Sequence, residues 1–197
     1  KNPHGGTAVL NWWNGYSACY DLTNPDAAAH FVGVLKQVQA DYGIDGYKFD
    51  AGDNNCYAST AILAYDKNAS TVDHTTSWAK IGLEFPFNEY RACWKMGGHP
   101  LVQRLGDKDY SWEAVQSLIP CMTAAGLLGY AYACPDMIGG GQWTSFLGIN
   151  SDEFDQTLIV RSAQVHALMP MMQFSVAPWR VLSAENLEIV KQMAILH

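Results

Sequence analysis

The run Gly43-Ile44-Asp45-Gly46-Tyr47-Lys48-Phe49, closed by Asp50-Ala51-Gly52-Asp53, constrains this chain more than any other stretch. Branched and aromatic residues between two glycines predict a short buried strand over Ile44–Phe49. A strand that delivers a carboxylate and then a glycine suits chemistry carried out where strands run out. Asp50 is therefore the first candidate nucleophile. An aspartate at a strand end also caps whatever loop or helix follows, and this segment alone leaves both readings open.

The upstream sequence supplies the partner elements. Thr7–Trp13 reads as a buried strand, with Asn14-Gly15 as a turn signal. Asn24-Pro25-Asp26 offers a capping amide, a proline at the first helical position and an acid in the first turn. Apolar residues then recur at helical spacing up to Tyr42, and Gly43 stops the helix. Strand, helix and strand in about forty residues make the βαβ unit of a parallel sheet.

Downstream, the pattern predicts an irregular polar segment over 53–70, a helix over Thr71–Leu83 and a short strand at Asn88–Arg91. A strand at Leu101–Leu105 ends on Gly106-Asp107. A long helix follows from Ser111 to Leu128, with a kink at Pro120. Tyr130–Cys134 reads as a strand leading into Pro135-Asp136, and Phe154–Ala167 as an amphipathic helix. Met169–Phe174 reads as an apolar strand, Pro178-Trp179 as a turn and Ser183–Leu196 as a last helix. Roughly six strands alternating with helices predict an α/β chain that forms most of a (β/α)8 barrel. A whole barrel takes about 250 residues, so residues 1–197 are expected to be its C-terminal two-thirds, with the early strands upstream. A doubly wound sheet is the competitor, and its G-x-G-x-x-G fingerprint is missing.

Composition narrows the partners. A net charge of −7 with no Lys/Arg run argues against nucleic acid and anionic membranes. Seven Trp and ten Tyr suit ring-shaped ligands, although most aromatics in any domain are core. Five scattered cysteines without C-x-x-C spacing argue against zinc and thioredoxin-like sites; Cys121 and Cys134, in apolar surroundings, read as buried thiols. Asn68-Ala69-Ser70 is a glycosylation sequon. No apolar run approaches the length of a membrane span, so any anchor is expected outside this stretch.

Three carboxylates end strands: Asp50, Asp107 and Asp136. Two carboxyl groups from different strand ends, facing one substrate, fit glycoside hydrolysis: an ionised one attacks and the other brings a proton. A carboxylate-held metal is the rival use. The six His show no H-E-x-x-H spacing, so no metal and no cofactor are expected.

These residues carry a resemblance. Trp12-Trp13-Asn14-Gly15, Lys48-Phe49-Asp50-Ala51-Gly52, Arg104-Leu105-Gly106-Asp107, Ser111-Trp112, Ser117-Leu118-Ile119-Pro120, Leu128-Gly129-Tyr130, Pro135-Asp136-Met137-Ile138-Gly139-Gly140 and Met169–Ser175 through Pro178-Trp179-Arg180 stand in the order and spacing of a catalytic barrel. The chain resembles glycoside hydrolase family 31, and within it the myogenesis-regulating group, whose members are similar to α-galactosidases.

The resemblance implies a retaining exo-α-glycosidase with Asp50 as nucleophile and Asp107 as acid/base. It implies Trp12, Trp13, Lys48, Arg91, Asp136 and Trp179 around the sugar, and a carbohydrate with an α-linked terminal residue as partner. It also implies a secretory or extracellular location. Two departures bear on specificity. The α-glucosidase branch carries Trp-x-Asp-Met-Asn-Glu where this chain has Lys48-Phe49-Asp50-Ala51-Gly52-Asp53, and its late histidine is replaced by a region holding Gln173, Ser175 and Trp179. Galactose is thus expected over glucose. An α-glucosidase-type member, a catalytically silent sugar-binding relative and a metal-dependent hydrolase remain the alternatives.

Overall fold

The computed structural model describes residues 1–57, 65–142 and 154–197. They fall into two units, Lys1–Leu101 and Val102–His197.

In the first unit, β1 (Val9–Trp12) and β2 (Gly15–Ala18) form an antiparallel hairpin with Trp12 opposite Gly15. The expected strand over Thr7–Trp13 is therefore present but pairs backwards along the chain rather than as the first stave of a βαβ unit. The reason is the two-residue connection Trp13-Asn14, closed by Gly15 at φ 96°, which returns the chain at once.

Helix α1 (Pro25–Tyr42) starts where Asn24 accepts the Asp26 amide and stops at Gly43 in the left-handed region, as the sequence predicts. Strand β3 (Gly46–Phe49) pairs in parallel with β4 (Phe87–Tyr90). Between them runs α2 (Thr71–Ile81), opened by a capping box in which Ser70 and Asp73 satisfy each other's backbone amides. A single 3-10 turn, Gly82–Glu84, follows.

Phe49, buried, stacks on Tyr90 at 4.6 Å, and Trp78 stands edge-on to both. The Tyr90 hydroxyl donates to the Trp78 carbonyl at 3.0 Å, which ties α2 to β4. This ring cluster fixes one face of β3, so the alternate residue Lys48 projects from the other face.

The second unit holds β5 (Val102–Arg104) and β6 (Tyr132–Cys134), paired in parallel with Arg104 opposite Cys134. They are joined through α3 (Trp112–Leu127), capped by Ser111 and continuous across Pro120. Helix α4 (Gln156–His166), the one-turn helix α5 (Pro178–Val181) and α6 (Ala184–Leu196) complete it. Its core joins Ile138, Phe154, Ile159, Val160, Ala163 and Val190.

Two expectations are corrected here. Met169–Phe174 is not a strand; its pairing is one parallel bridge, Ile138 to Phe174. Pro170 has no amide to donate, and turns occupy 167–170, so apolar character alone does not build a ladder. Pro178-Trp179 opens a helical turn rather than a plain loop turn. In addition, Cys134 is buried as expected, but Cys121 is only half-buried.

Gly46 marks the tightest β3–β4 approach: a Cβ there would meet the Phe87 carbonyl oxygen at 1.9 Å. Gly46→Ala is expected to lower stability by about 1–3 kcal/mol or more, read as a drop in urea midpoint at unchanged slope.

Candidate active site

Asp50 follows Phe49 directly, at the end of β3, with its side chain 40% exposed. The loop after it is held in an unusual path. Ala51 sits at φ 61° and Gly52 at φ 82°, two consecutive left-handed residues, the first of them non-glycine. Such a conformation costs on the order of 1–3 kcal/mol and persists only where its surroundings over-determine it. Here the Thr75 hydroxyl donates to the Gly52 carbonyl at 2.8 Å, and the Ala51 amide donates to Asp50 Oδ1 at 2.9 Å. A Cβ on Gly52 would meet the Trp78 ring at 2.3 Å, so glycine is required on both counts.

The turn brings Asp53 back toward Asp50. Arg91, just past the end of β4, donates through Nε and Nη2 to Asp53 Oδ2 at 3.2 and 2.6 Å. Its Nη1 stands 3.5 Å from Asp50 Oδ1. Asp53 thus anchors the guanidinium, and the guanidinium sets the field at Asp50. Lys48, expected around the sugar, pairs across the strands with Glu89 at 3.4 Å.

Beside Asp50 lies a cavity of about 370 Å³, walled by Leu10, Trp12, Tyr20, Phe31 and Trp78 among others. Trp12 is fixed there by its indole N–H donating to Ser17 Oγ at 2.9 Å, and by edge contact with Trp13 at 4.9 Å. Trp13 itself occupies the hairpin tip and is 63% exposed.

His74 also lines this cavity. Its Nε2 donates to the Tyr20 carbonyl at 2.8 Å, and its Nδ1 accepts from the Tyr57 hydroxyl at 2.5 Å. Burial holds its pKa below the ordinary 6.5, against the opposing pull of Tyr20 and Asp21. Burial likewise raises the Tyr57 pKa, with negative charge on neighbouring cysteines and Asp53 adding to it.

In the second unit Asp107 stands three residues beyond β5, with its side chain 33% exposed. Arg104, buried, donates through Nη1 to Asp107 Oδ1 at 2.7 Å and to Asp136 Oδ1 at 2.9 Å. Asp136 is wholly buried, and its other oxygen accepts the amides of Lys108 and Gly141 at 2.8 and 2.9 Å. Burial works against the charge on Arg104, but hydrogen bonds and charge from Asp107 and Asp136 outweigh it and raise its pKa. Trp179, on α5, is 71% exposed.

Asp53 and Arg104 are the site residues the sequence reading left without a role. An arginine inside the apolar run Leu101-Val102-Gln103-Arg104-Leu105 was the available signal, because a buried guanidinium demands a buried carboxylate. Asp53 gave no comparable signal, since only the left-handed turn reveals that it faces back. Among the described residues no group of three or more His, Cys, Asp or Glu could hold a metal ion. No helix among them is long and apolar enough to cross a membrane.

Parallel strands joined by helices, with carboxylates and arginines gathered past the strand ends, define an α/β chain of the barrel type. The model of the glycosyl hydrolases family 31 TIM-barrel domain matches residues 1–193, and this chain belongs to that family. Its sheet and helices are therefore part of a (β/α)8 barrel. The myogenesis-regulating glycosidase of Mus musculus is 32% identical over 199 residues, covering 96% of this chain and 27% of that protein.

Among solved structures, a family 31 sulfoquinovosidase from E. rectale, in complex with an aza-sugar inhibitor, superposes with TM-score 0.71 at 20% identity, over 100% of this chain and 31% of its own. The glucosidase II alpha subunit gives 0.72 at 16% identity, over 100% and 23%. The chain spans about a quarter of the length of the curated relatives it matches.

The buried, neutral His74 makes a pH prediction. The unfolded imidazole takes a proton near 6.5 and the folded one takes it only at lower pH, so stability falls as pH drops through 6.5. His166, also buried with a lowered pKa, acts in the same direction. His74→Gln is expected to lose less melting temperature than the parent between pH 7 and pH 5, measured by thermal denaturation monitored by circular dichroism.

Proposed function

We propose that the protein carrying this chain is a retaining exo-α-glycosidase that removes an α-linked terminal sugar, with α-galactosides as its substrate class. Asp50 is the nucleophile and Asp107 the general acid/base. The observation that carries this reading is the environment of Asp50. It is a half-exposed carboxylate on a strained strand-end turn, beside an aromatic-walled cavity, with an anchored arginine 3.5 Å away.

The steps follow from the chemistry of two carboxyl groups. Asp50 attacks the anomeric carbon while the bond to the leaving oxygen breaks, and that oxygen takes the proton of Asp107. A water then gives its proton to Asp107 and attacks the same carbon, which releases Asp50 and the sugar. Arg91 opposes the charge of Asp50 between turnovers, and Asp53 keeps Arg91 in place. Trp12 offers a ring face to the apolar side of a sugar. Lys48, Trp13 and Trp179 complete the proposed surroundings of the substrate; Asp136, also expected there, is wholly buried with both oxygens held by Arg104 and backbone amides, and so is not placed against the sugar.

Family membership and the likeness to the myogenesis-regulating glycosidase support glycosidase chemistry. The Lys48-Phe49-Asp50-Ala51-Gly52-Asp53 segment supports galactose over glucose. A secretory location and glycosylation at the exposed Asn68 belong to the same proposal; an Asn68→Gln variant of the secreted protein should then lose one glycan's mass.

The test uses full-length protein with chromogenic α-galactoside, α-glucoside and α-xyloside. The α-galactoside should be turned over fastest, and Asp50→Asn should reduce that rate by at least about 10⁴-fold while the fold is retained. A mechanism-based inhibitor should leave its sugar on the peptide containing Asp50. Full activity of Asp50→Asn, or a label on another residue, rejects the assignment.

A further inference from the structure

Arg104 poses a difficulty for any acid/base role of Asp107. A guanidinium 2.7 Å from a carboxylate favours the ionised form, yet an acid/base residue has to hold a proton in one step and give it up in the other. The surroundings of Arg104 resolve it. The same Nη1 also binds Asp136, which is wholly buried and whose second oxygen is occupied by two backbone amides.

Asp136 is cut off from solvent, and its backbone stands at φ 99°, a conformation that non-glycine residues rarely adopt. Gly141 packs against it so closely that a Cβ there would lie 2.6 Å from Asp136 Oδ1. The site is built to keep that carboxylate on Arg104.

We propose that Asp136 is a positioning residue that keeps Asp107 able to exchange its proton, by committing the charge of Arg104 to a second, buried carboxylate. Arg104 then orients Asp107 through a contact whose charge it shares with Asp136. The inference rests on the acid/base role proposed for Asp107. The charged and titratable groups around the cluster are Arg104 at the end of β5, Lys108 and Asp109 in the loop after it, Asp136 after β6 and His166 on α4. Lys108 directs its ammonium to the carbonyls of Gly106 and Pro135 at 3.3 and 3.1 Å. His166, neutral through burial, faces the Asp136 carbonyl at 3.2 Å.

Two substitutions should act with opposite signs. Asp136→Asn leaves Arg104 uncompensated and strengthens its hold on Asp107, whereas Arg104→Gln removes the cation. In full-length protein, the alkaline limb of kcat/KM should move down by about one pH unit in D136N and up in R104Q. The double variant, which buries no lone charge, should return close to the parent.

D136N should also lose at least about tenfold more rate on an aryl glycoside with a poor leaving group than on one with an activated leaving group, which needs little protonation. A merely structural role would lower both rates together and leave the limbs in place; that result overturns the inference while the parent remains active. No turnover by the parent on any glycoside overturns the function reading and this inference with it. Where one single variant fails to fold, the other single and the double variant carry the same decision.

Discussion

The constraint on which this structure turns is that each of the two aspartates proposed to carry the chemistry shares an arginine with a second aspartate. In the first unit Arg91 is divided between Asp50 and Asp53, and in the second Arg104 between Asp107 and Asp136. Arg91 stands 2.6 Å from Asp53 and 3.5 Å from the more exposed Asp50, whereas Arg104 stands 2.7 Å from Asp107 and 2.9 Å from the wholly buried Asp136. Arg91 uses its planar fork for this, with Nε and Nη2 on Asp53 and Nη1 toward Asp50, whereas Arg104 serves both carboxylates from the one nitrogen Nη1.

Holding a fork in place requires rigid walls, and the walls differ between the units. Around Arg91 the rigidity comes from rings and backbone: the Phe49–Tyr90 stack, the Trp78 edge, the Thr75 hydroxyl and two left-handed residues in succession. Around Arg104 it comes from burial and from backbone amides delivered by the loops after β5 and β6. Each neighbourhood also holds a non-glycine residue at positive φ, Ala51 beside Asp50 and Asp136 itself; Lys95 is the third such residue among those described.

The sequence disclosed whatever local chemistry decides. The α1 start at Asn24-Pro25-Asp26 and its stop at Gly43 were legible, as were the strand before Asp50, the Ser111 cap and the helix through Pro120. It misled where tertiary pairing decides. A buried-looking Thr7–Trp13 became half of a hairpin, because a two-residue turn closes faster than a helical crossover, and Met169–Phe174 kept one bridge because Pro170 interrupts its ladder. Among the site residues, those at strand ends were visible as types at a spacing. Asp53 and Arg104 were not assigned, since their role depends on which carboxylate each guanidinium finds in three dimensions.

The same division bears on specificity. The backbone of this chain follows that of a sulfoquinovosidase at 20% identity and of a glucosidase II subunit at 16%, so the fold survives the loss of four residues in five. A scaffold that tolerant cannot itself distinguish sugars. Discrimination falls to the side chains that stand on it, and a site that hydrogen-bonds a hydroxyl rejects its absence far more strongly than an apolar wall rejects an added group. On the described cavity wall, Leu10 and Phe31 can shape a ligand but not tell one hydroxyl's orientation from another. That task needs fixed polar groups. Lys48, 3.4 Å from Glu89 on the neighbouring strand, and Arg91, braced by Asp53, are cations carried by β3 and by the end of β4, the strand pair that delivers Asp50. A change of sugar in this family should therefore be sought first in the braces, Glu89 and Asp53, which set where those cations stand.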